Sequence, residues 1–135
     1  NGKKIILIDD SLVRGTTSVK IVKMLFESGA KEVHLRIASP PIKFPDYYGV
    51  DTPNKKELLA YKYNLNGMIK FIKATSLQFL SIEGLYNAMG QGKRNNTYPQ
   101  FTDHCFTGDY PITPLDANSQ NFSDKQLSFL SSKYK

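Results

Sequence analysis

The residues whose types and spacing suit chemistry lie close together near the start of this 135-residue chain: Asp9 and Asp10, then Ser11, Arg14, Gly15, Thr16 and Thr17. Paired carboxylates followed by hydroxyls, a guanidinium and a glycine suit a ligand that carries hydroxyl groups beside an anion. Carboxylates accept hydrogen bonds from the hydroxyls, while backbone N–H groups, Ser and Thr hydroxyls and the positive end of a helix dipole gather around the anion. The ligand implied is a sugar phosphate, with Asp9 and Asp10 on the ribose hydroxyls and the loop on the phosphate. A P-loop is excluded, because Thr16 stands where the lysine after its glycine belongs.

That placement requires particular elements. Lys4-Ile5-Ile6-Leu7-Ile8 is a short run rich in β-branched residues, which predicts a strand buried on both faces as in parallel sheets. It delivers Asp9 and Asp10 to the carboxyl end of the strand, where open α/β sheets hold ligands. Thr16 and Thr17 are predicted as N-caps of a helix whose apolar face is Val19, Ile21, Val22, Leu25 and Phe26, and Gly29 closes it. A second strand over 32–38 completes a right-handed parallel βαβ unit. Ser39-Pro40-Pro41 stops it, and 42–50 reads as an ordered loop. Thr52-Pro53 predicts a helix start that continues through Glu57, Leu58, Leu59 and Ala60. A further helix is expected over 65–73 with Leu65, Ile69 and Ile72 on one face, weakened by Gly67, followed by a third strand over 77–80. Ser81 is predicted to cap a helix bearing Ile82, Leu85, Tyr86 and Met89, ended by Gly90 and Gly92. Residues 93–119 read as coil pinned by aromatic rings, and Ser123-Asp124-Lys125-Gln126 as a capping box before a short helix.

Composition narrows the function class. One domain fits the length, and an apolar content of 40% is that of a globular chain. No apolar run approaches the roughly 20 residues of a membrane span, so no membrane is expected as a partner and a cytoplasmic location is. Eighteen basic against twelve acidic side chains give a formal +6, which favours anionic ligands; no zinc finger, basic zipper or RNA-binding signature accompanies it, so no specific nucleic acid is expected. The one cysteine, Cys105, leaves no internal disulfide.

Other candidate residues have plainer uses. His34 on its strand is expected to be structural. His104-Cys105 are sequence neighbours, a poor arrangement for a thiol and its base. Asp46, Asp51 and Glu57 are expected in caps and loop contacts rather than around a metal, and the rings from Phe44 to Tyr48 as loop anchors rather than a purine stack.

The stretch Ile5-Ile6-Leu7-Ile8-Asp9-Asp10-Ser11-Leu12-Val13-Arg14-Gly15-Thr16-Thr17 resembles the phosphoribosyl pyrophosphate (PRPP) motif of type I phosphoribosyltransferases. With Glu27-Ser28-Gly29-Ala30-Lys31-Glu32-Val33-His34, Ala38-Ser39-Pro40-Pro41-Ile42, Tyr48-Gly49-Val50-Asp51, Glu57-Leu58-Leu59-Ala60, Leu80-Ser81-Ile82-Glu83-Gly84-Leu85 and Cys105-Phe106-Thr107-Gly108-Asp109-Tyr110-Pro111, it is similar to the carboxyl-terminal part of the glutamine PRPP amidotransferases. The resemblance implies an α/β chain: part of a type I phosphoribosyltransferase fold over 1–112, a parallel sheet with flanking helices, then an irregular tail with a short helix over 113–135. It implies PRPP contacts at Asp9, Asp10, Ser11, Arg14, Gly15, Thr16 and Thr17, with magnesium at Asp9 and Asp10 and no catalytic residue in this segment. It further implies purine nucleotides as regulators, a homo-oligomer in the intact enzyme, and formation of 5-phosphoribosylamine from PRPP and glutamine at the start of purine synthesis. The glutaminase domain and the earlier transferase strands lie outside the matched segments, so the chain reads as a fragment whose sheet exposes apolar surface. Where some relatives carry iron–sulfur cysteines, Asp46 and Thr102 stand here beside a lone Cys105, so no cluster is expected. A non-catalytic binding module for PRPP or a nucleotide 5-phosphate, a different type I phosphoribosyltransferase and an inert remnant remain the alternatives.

Overall fold

The computed structural model describes residues 1–50, 52 and 54–112. The tail helix expected after Ser123, the boundary at 112/113, Asp51 and the helix start at Pro53 lie outside the described residues.

Three parallel strands, β1 (Lys4–Asp9), β2 (Glu32–Ile37) and β3 (Ser76–Phe79), form a sheet in the order β1-β2-β3, with Leu7 opposite Leu35 and Leu35 opposite Leu77. Parallel neighbours need crossovers, and helix α1 (Thr16–Glu27) supplies the first, while α2 (Leu59–Lys62) and α3 (Leu65–Ile72) supply the second. Helices α1 and α3 touch each other, and Val22, Met68 and Ile72 form one core with Val33, Leu35, Ile37 and Leu77. Both crossovers therefore cover the same face of the sheet.

The opposite face corrects the expectation for β1, which is not buried on both sides: Ile6 is 66% and Ile8 73% exposed. Beside them in register lie His34 and Arg36, then Ser76 and Gln78, so this face is polar on β2 and β3 and apolar only on β1. A strand pleat sends alternate residues to opposite sides, and β1 meets helices on one side only. The expected exposure of apolar sheet surface is found at these two isoleucines. His34 is structural, with Nδ1 at 2.8 Å from Ser76 Oγ and Nε2 at 2.9 Å from Glu32 Oε2.

The helix expected from Thr52-Pro53 onward is broken. A 3₁₀ turn, Lys55–Glu57, stands under an Asn54 cap, Leu58 is extended at φ −68° and ψ 122°, and α2 begins only at Leu59. Leu58 and Leu59 are both buried, and the Leu59 N–H donates to the Val13 carbonyl at 2.8 Å rather than to its own turn. That tertiary bond, with burial of two adjacent leucines, outweighs helix continuity. In α3 the buried stripe is Met68 and Ile72 with Ile69 at its edge, whereas Leu65, expected there, is 44% exposed. Gly67 has a packing reason, since a Cβ there would stand 3.0 Å from the Tyr63 Cβ. Ser81 caps α4 (Ile82–Ala88) as expected, its Oγ accepting from the Gly84 N–H at 2.9 Å.

The segment from Lys93 to Ile112 is irregular except for one turn of helix, α5 (His104–Thr107), which its composition did not announce. Buried polar groups hold it down. Asp103, 3% exposed, receives both Nε and Nη2 of Arg94 at 2.6 and 3.1 Å, the Tyr86 hydroxyl from α4 at 2.9 Å and the Thr107 hydroxyl at 3.1 Å. Burial works to raise the Asp103 carboxyl, but these donors outweigh it and hold it below the usual aspartate range. Rings add to the anchoring: Tyr48 meets His104 edge-on at 4.9 Å, Tyr47 and Tyr110 lie 5.3 Å apart, and the Tyr110 hydroxyl donates to the Pro45 carbonyl at 2.7 Å.

Removing Asp103 takes the side-chain carboxylate acceptor from the Tyr86 and Thr107 hydroxyls and leaves the half-buried Arg94 only Asp109, at 2.6 Å, as its ion-pair partner among the described residues. Asp103→Ala is expected to cost on the order of 3 kcal/mol in urea unfolding at pH 7. Because the folded carboxyl is depressed, its contribution is present above the unfolded value of about 4 and is lost as pH falls through the lower folded value. The gap between parent and variant should therefore narrow on acidification below about pH 4.

Candidate functional site

The β1-to-α1 turn forms the site. Asp9 ends the strand, and residues Asp9 to Ser18 line a cavity of about 320 Å³. The carboxylates are turned by their own chain: Asp9 Oδ1 accepts the Asp10 N–H at 3.0 Å, and Asp10 Oδ1 accepts the Ser11 N–H at 2.7 Å. Each is a two-oxygen acceptor, so these bonds orient the group and leave capacity for a ligand. All seven residues singled out in the sequence line this one cavity.

Gly15 determines its shape. It is the N-cap of α1 in the left-handed region at φ 77°, and it is buried. A Cβ there would approach Leu59 Cδ2 to 2.8 Å and Phe71 Cε1 to 3.3 Å, so both backbone conformation and packing call for glycine. The expectation that Thr16 and Thr17 are N-caps is corrected by this residue. They form the first turn of the helix itself, no side chain caps it, and both are exposed. The first helical bond runs from the Val19 N–H to the Gly15 carbonyl at 2.9 Å. The N–H groups of Gly15, Thr16, Thr17 and Ser18 consequently have no acceptor among the described residues, as expected of a first turn. No acidic residue lies in that turn, so no side chain of the turn itself offsets the positive end of the helix.

The loop is braced from outside by residues that motif reading left in a predicted helix. Leu59 donates its N–H to Val13 O, its side chain packs on Gly15, and Glu57 Oε2 takes Arg14 Nε at 2.8 Å. Leu12, 2% exposed, joins the core cluster that contains Leu59. A separation of 43 residues between Arg14 and Glu57 is outside the reach of local spacing rules; the one sequence signal was that both lie in segments similar to the same family.

A second group of donors collects away from the turn. Asp46 Oδ2, His104 Nε2 and Cys105 Sγ lie within 4.8 Å of one another. His104 Nε2–H donates to Asp46 Oδ2 at 2.6 Å, and the Cys105 thiol sits 3.7 Å from the same oxygen. Burial first, then the Asp46 charge, push the thiol up to about 11. Burial works against ionisation of Asp46 as well, but N–H donation from Tyr48, His104 and Val50 holds its carboxyl below the ordinary value. His104 Nδ1 is buried with no partner among the described residues, whereas a metal-bound imidazole ordinarily donates from its second nitrogen. A protonated thiol and an imidazole already spent on a carboxylate make this a staple between the 42–50 loop and α5. Asp46 and Glu57 thus serve loop contacts, as expected. Among the described residues no helix is long and apolar enough to cross a membrane.

Comparison with known proteins points to one family. No family model matches the chain. An amidophosphoribosyltransferase of Rhizobium etli is 58% identical over 132 residues, 97% of this chain and 26% of its own length. A chloroplastic amidophosphoribosyltransferase of Arabidopsis thaliana is 50% identical over 85% of this chain and 20% of its own length. The solved structure of the Bacillus subtilis glutamine PRPP amidotransferase, complexed with ADP and GMP, superposes with a TM-score of 0.72 at 46% identity, covering 82% of this chain and 24% of that one. The chain spans about a quarter of the length of the relatives it matches. Sequence and fold agree, and over that quarter this chain is homologous to the amidophosphoribosyltransferases.

Proposed function

We propose that the β1-to-α1 turn binds the ribose 5-phosphate portion of PRPP and that the chain is the PRPP-site segment of an amidophosphoribosyltransferase. The observation that carries this is the cavity itself: two oriented carboxylates and, joined to them by Gly15, a first helical turn whose N–H groups have no acceptor among the described residues. Asp9 and Asp10 accept from the 2- and 3-hydroxyls. Ser11, Arg14, Gly15, Thr16 and Thr17 surround the 5-phosphate, with the hydroxyls and N–H groups donating and the guanidinium adding charge.

In the whole enzyme, ammonia released from glutamine would attack C1 of the ribose as the C1–O bond to pyrophosphate breaks, giving 5-phosphoribosylamine. This segment contributes binding and orientation rather than a nucleophile. Fixed donors at the phosphate and fixed acceptors at the diol would hold the ring while positive charge develops at C1, and the negative charge of the two carboxylates would favour that development. Magnesium fits the donor set, since the free oxygens of Asp9 and Asp10 are hard anionic ligands; when bound, it supplies charge neutralisation for the pyrophosphate. Purine nucleotides carry the same 5-phosphate and are expected to compete for the turn, a reading supported by the ADP and GMP complex of the Bacillus subtilis relative. A cytoplasmic location and a homo-oligomeric intact enzyme belong to this reading.

Thermal unfolding of the chain with PRPP and magnesium tests it. At ligand about a hundredfold above its dissociation constant, binding to the native state adds about 2.7 kcal/mol, and the resulting upward shift should vanish in an Asp9→Asn, Asp10→Asn double variant. A shift with PRPP but no amidotransferase activity from the full-length protein would favour the non-catalytic module. A flat response from a cooperatively unfolding chain would contradict binding at this turn. Gly15→Ala must strain φ 77° and displace Leu59, so it is expected to cost about 1–3 kcal/mol of stability and to abolish the ligand shift.

A further inference from the structure

Resting on that reading, we propose that Glu57 is a positioning residue for the phosphate subsite, holding Arg14 at the rim of the cavity through its carboxylate. Three contacts from two residues of the 3₁₀-to-α2 segment land on three consecutive residues of the loop. The Leu59 N–H meets the Val13 carbonyl at 2.8 Å, Glu57 Oε2 meets Arg14 Nε at 2.8 Å, and the Leu59 side chain fills the space beside Gly15. The backbone bond and the packing fix the main chain of the loop. Of the three contacts, the one from the Glu57 carboxylate fixes a side chain that lines the cavity.

The geometry suits a guide better than a competitor. Engagement through Nε leaves both terminal nitrogens of Arg14 without an acceptor among the described residues, and a guanidinium so held has its fork available for phosphate oxygens. Holding one long side chain in place also removes rotamer freedom that the ligand would otherwise have to quench on binding. Stability is a poor explanation for the pair: the two side chains are 54% and 52% exposed, and exposed ion pairs contribute little.

Charge and positioning predict opposite signs, which makes the role testable. A carboxylate near a phosphate site repels the ligand, so if Glu57 acted by charge alone its removal would tighten binding. If it positions Arg14, its removal weakens binding. The probes are ribose 5-phosphate, which reads the phosphate half, and PRPP with magnesium, both titrated calorimetrically into the 135-residue chain. Glu57→Ala is expected to raise the Kd for ribose 5-phosphate about fivefold with the thermal midpoint of the free chain unchanged. Glu57→Gln, which keeps an acceptor oxygen, should recover most of that loss. In an Arg14→Ala background Glu57→Ala should weaken binding no further, the remaining charge effect being in the opposite direction. Unchanged or tighter binding by Glu57→Ala, or losses that simply add with Arg14→Ala, would overturn the positioning role while leaving the PRPP site intact. Failure of the unaltered chain to bind either probe would overturn the site reading and this inference with it.

Discussion

Between the end of β1 and the start of α1 the chain has six residues, Asp10 to Gly15, in which to leave a strand and enter a helix. Gly15 makes that reversal possible by adopting φ 77°, and Leu59 packs so closely that a Cβ there would have to displace its Cδ2 methyl. The consequences extend outward from there. With glycine as the cap no side chain occupies the first-turn N–H groups, and with Thr16 and Thr17 inside the helix rather than before it, two hydroxyls face the same opening. A serine or aspartate cap would have been better for helix stability, but its oxygen would have taken the donors an anionic ligand needs. The site is bought with a weaker helix start.

The rest of the fold serves to hold this turn against the sheet. Parallel pairing with β2 fixes the direction in which β1 delivers Asp9, and α1 and α3, side by side on one face, put α2 within reach of the loop. The break at Leu58 follows from this arrangement. A continuous helix over 52–60 would have kept the Leu59 N–H inside its own turn, whereas the extended residue frees it for Val13. Farther away, Asp103 and Asp46 act as buried anchors, one gathering Arg94, Tyr86 and Thr107, the other gathering His104 and two loop N–H groups. They give an irregular, polar segment a defined path across the protein, where a hydrophobic stripe would have needed regular structure.

The strands, α1 and the gathering of the seven candidate residues around one turn were legible because their signals are local: apolar runs bounded by turn residues, and a strand–acid–loop–helix order hard to obtain by chance. Ser81 and Gly29 were legible for the same reason. What escaped depends on distance in the chain. The brace of Arg14 by Glu57 and the staple of Asp46 by His104 join residues 43 and 58 apart, and α5 is a single turn held by Asp103 rather than by any periodic pattern. Burial of β1 was overstated for a different reason. A β-branched run shows that a strand forms but not how many layers cover it, and Ile6 and Ile8 look the same in sequence whether bare or packed.

Amide NMR of the labelled chain, titrated with ribose 5-phosphate, tests the central claim most directly. A phosphate held by the turn should move the resonances of Ser11 and Gly15 to Ser18 saturably and together, with the Asp9 and Asp10 amides following as the diol engages and the Asp46–His104 region silent. Saturable shifts confined to other surfaces, or none at concentrations where the chain remains folded, would contradict a pentose phosphate site at the β1-to-α1 turn.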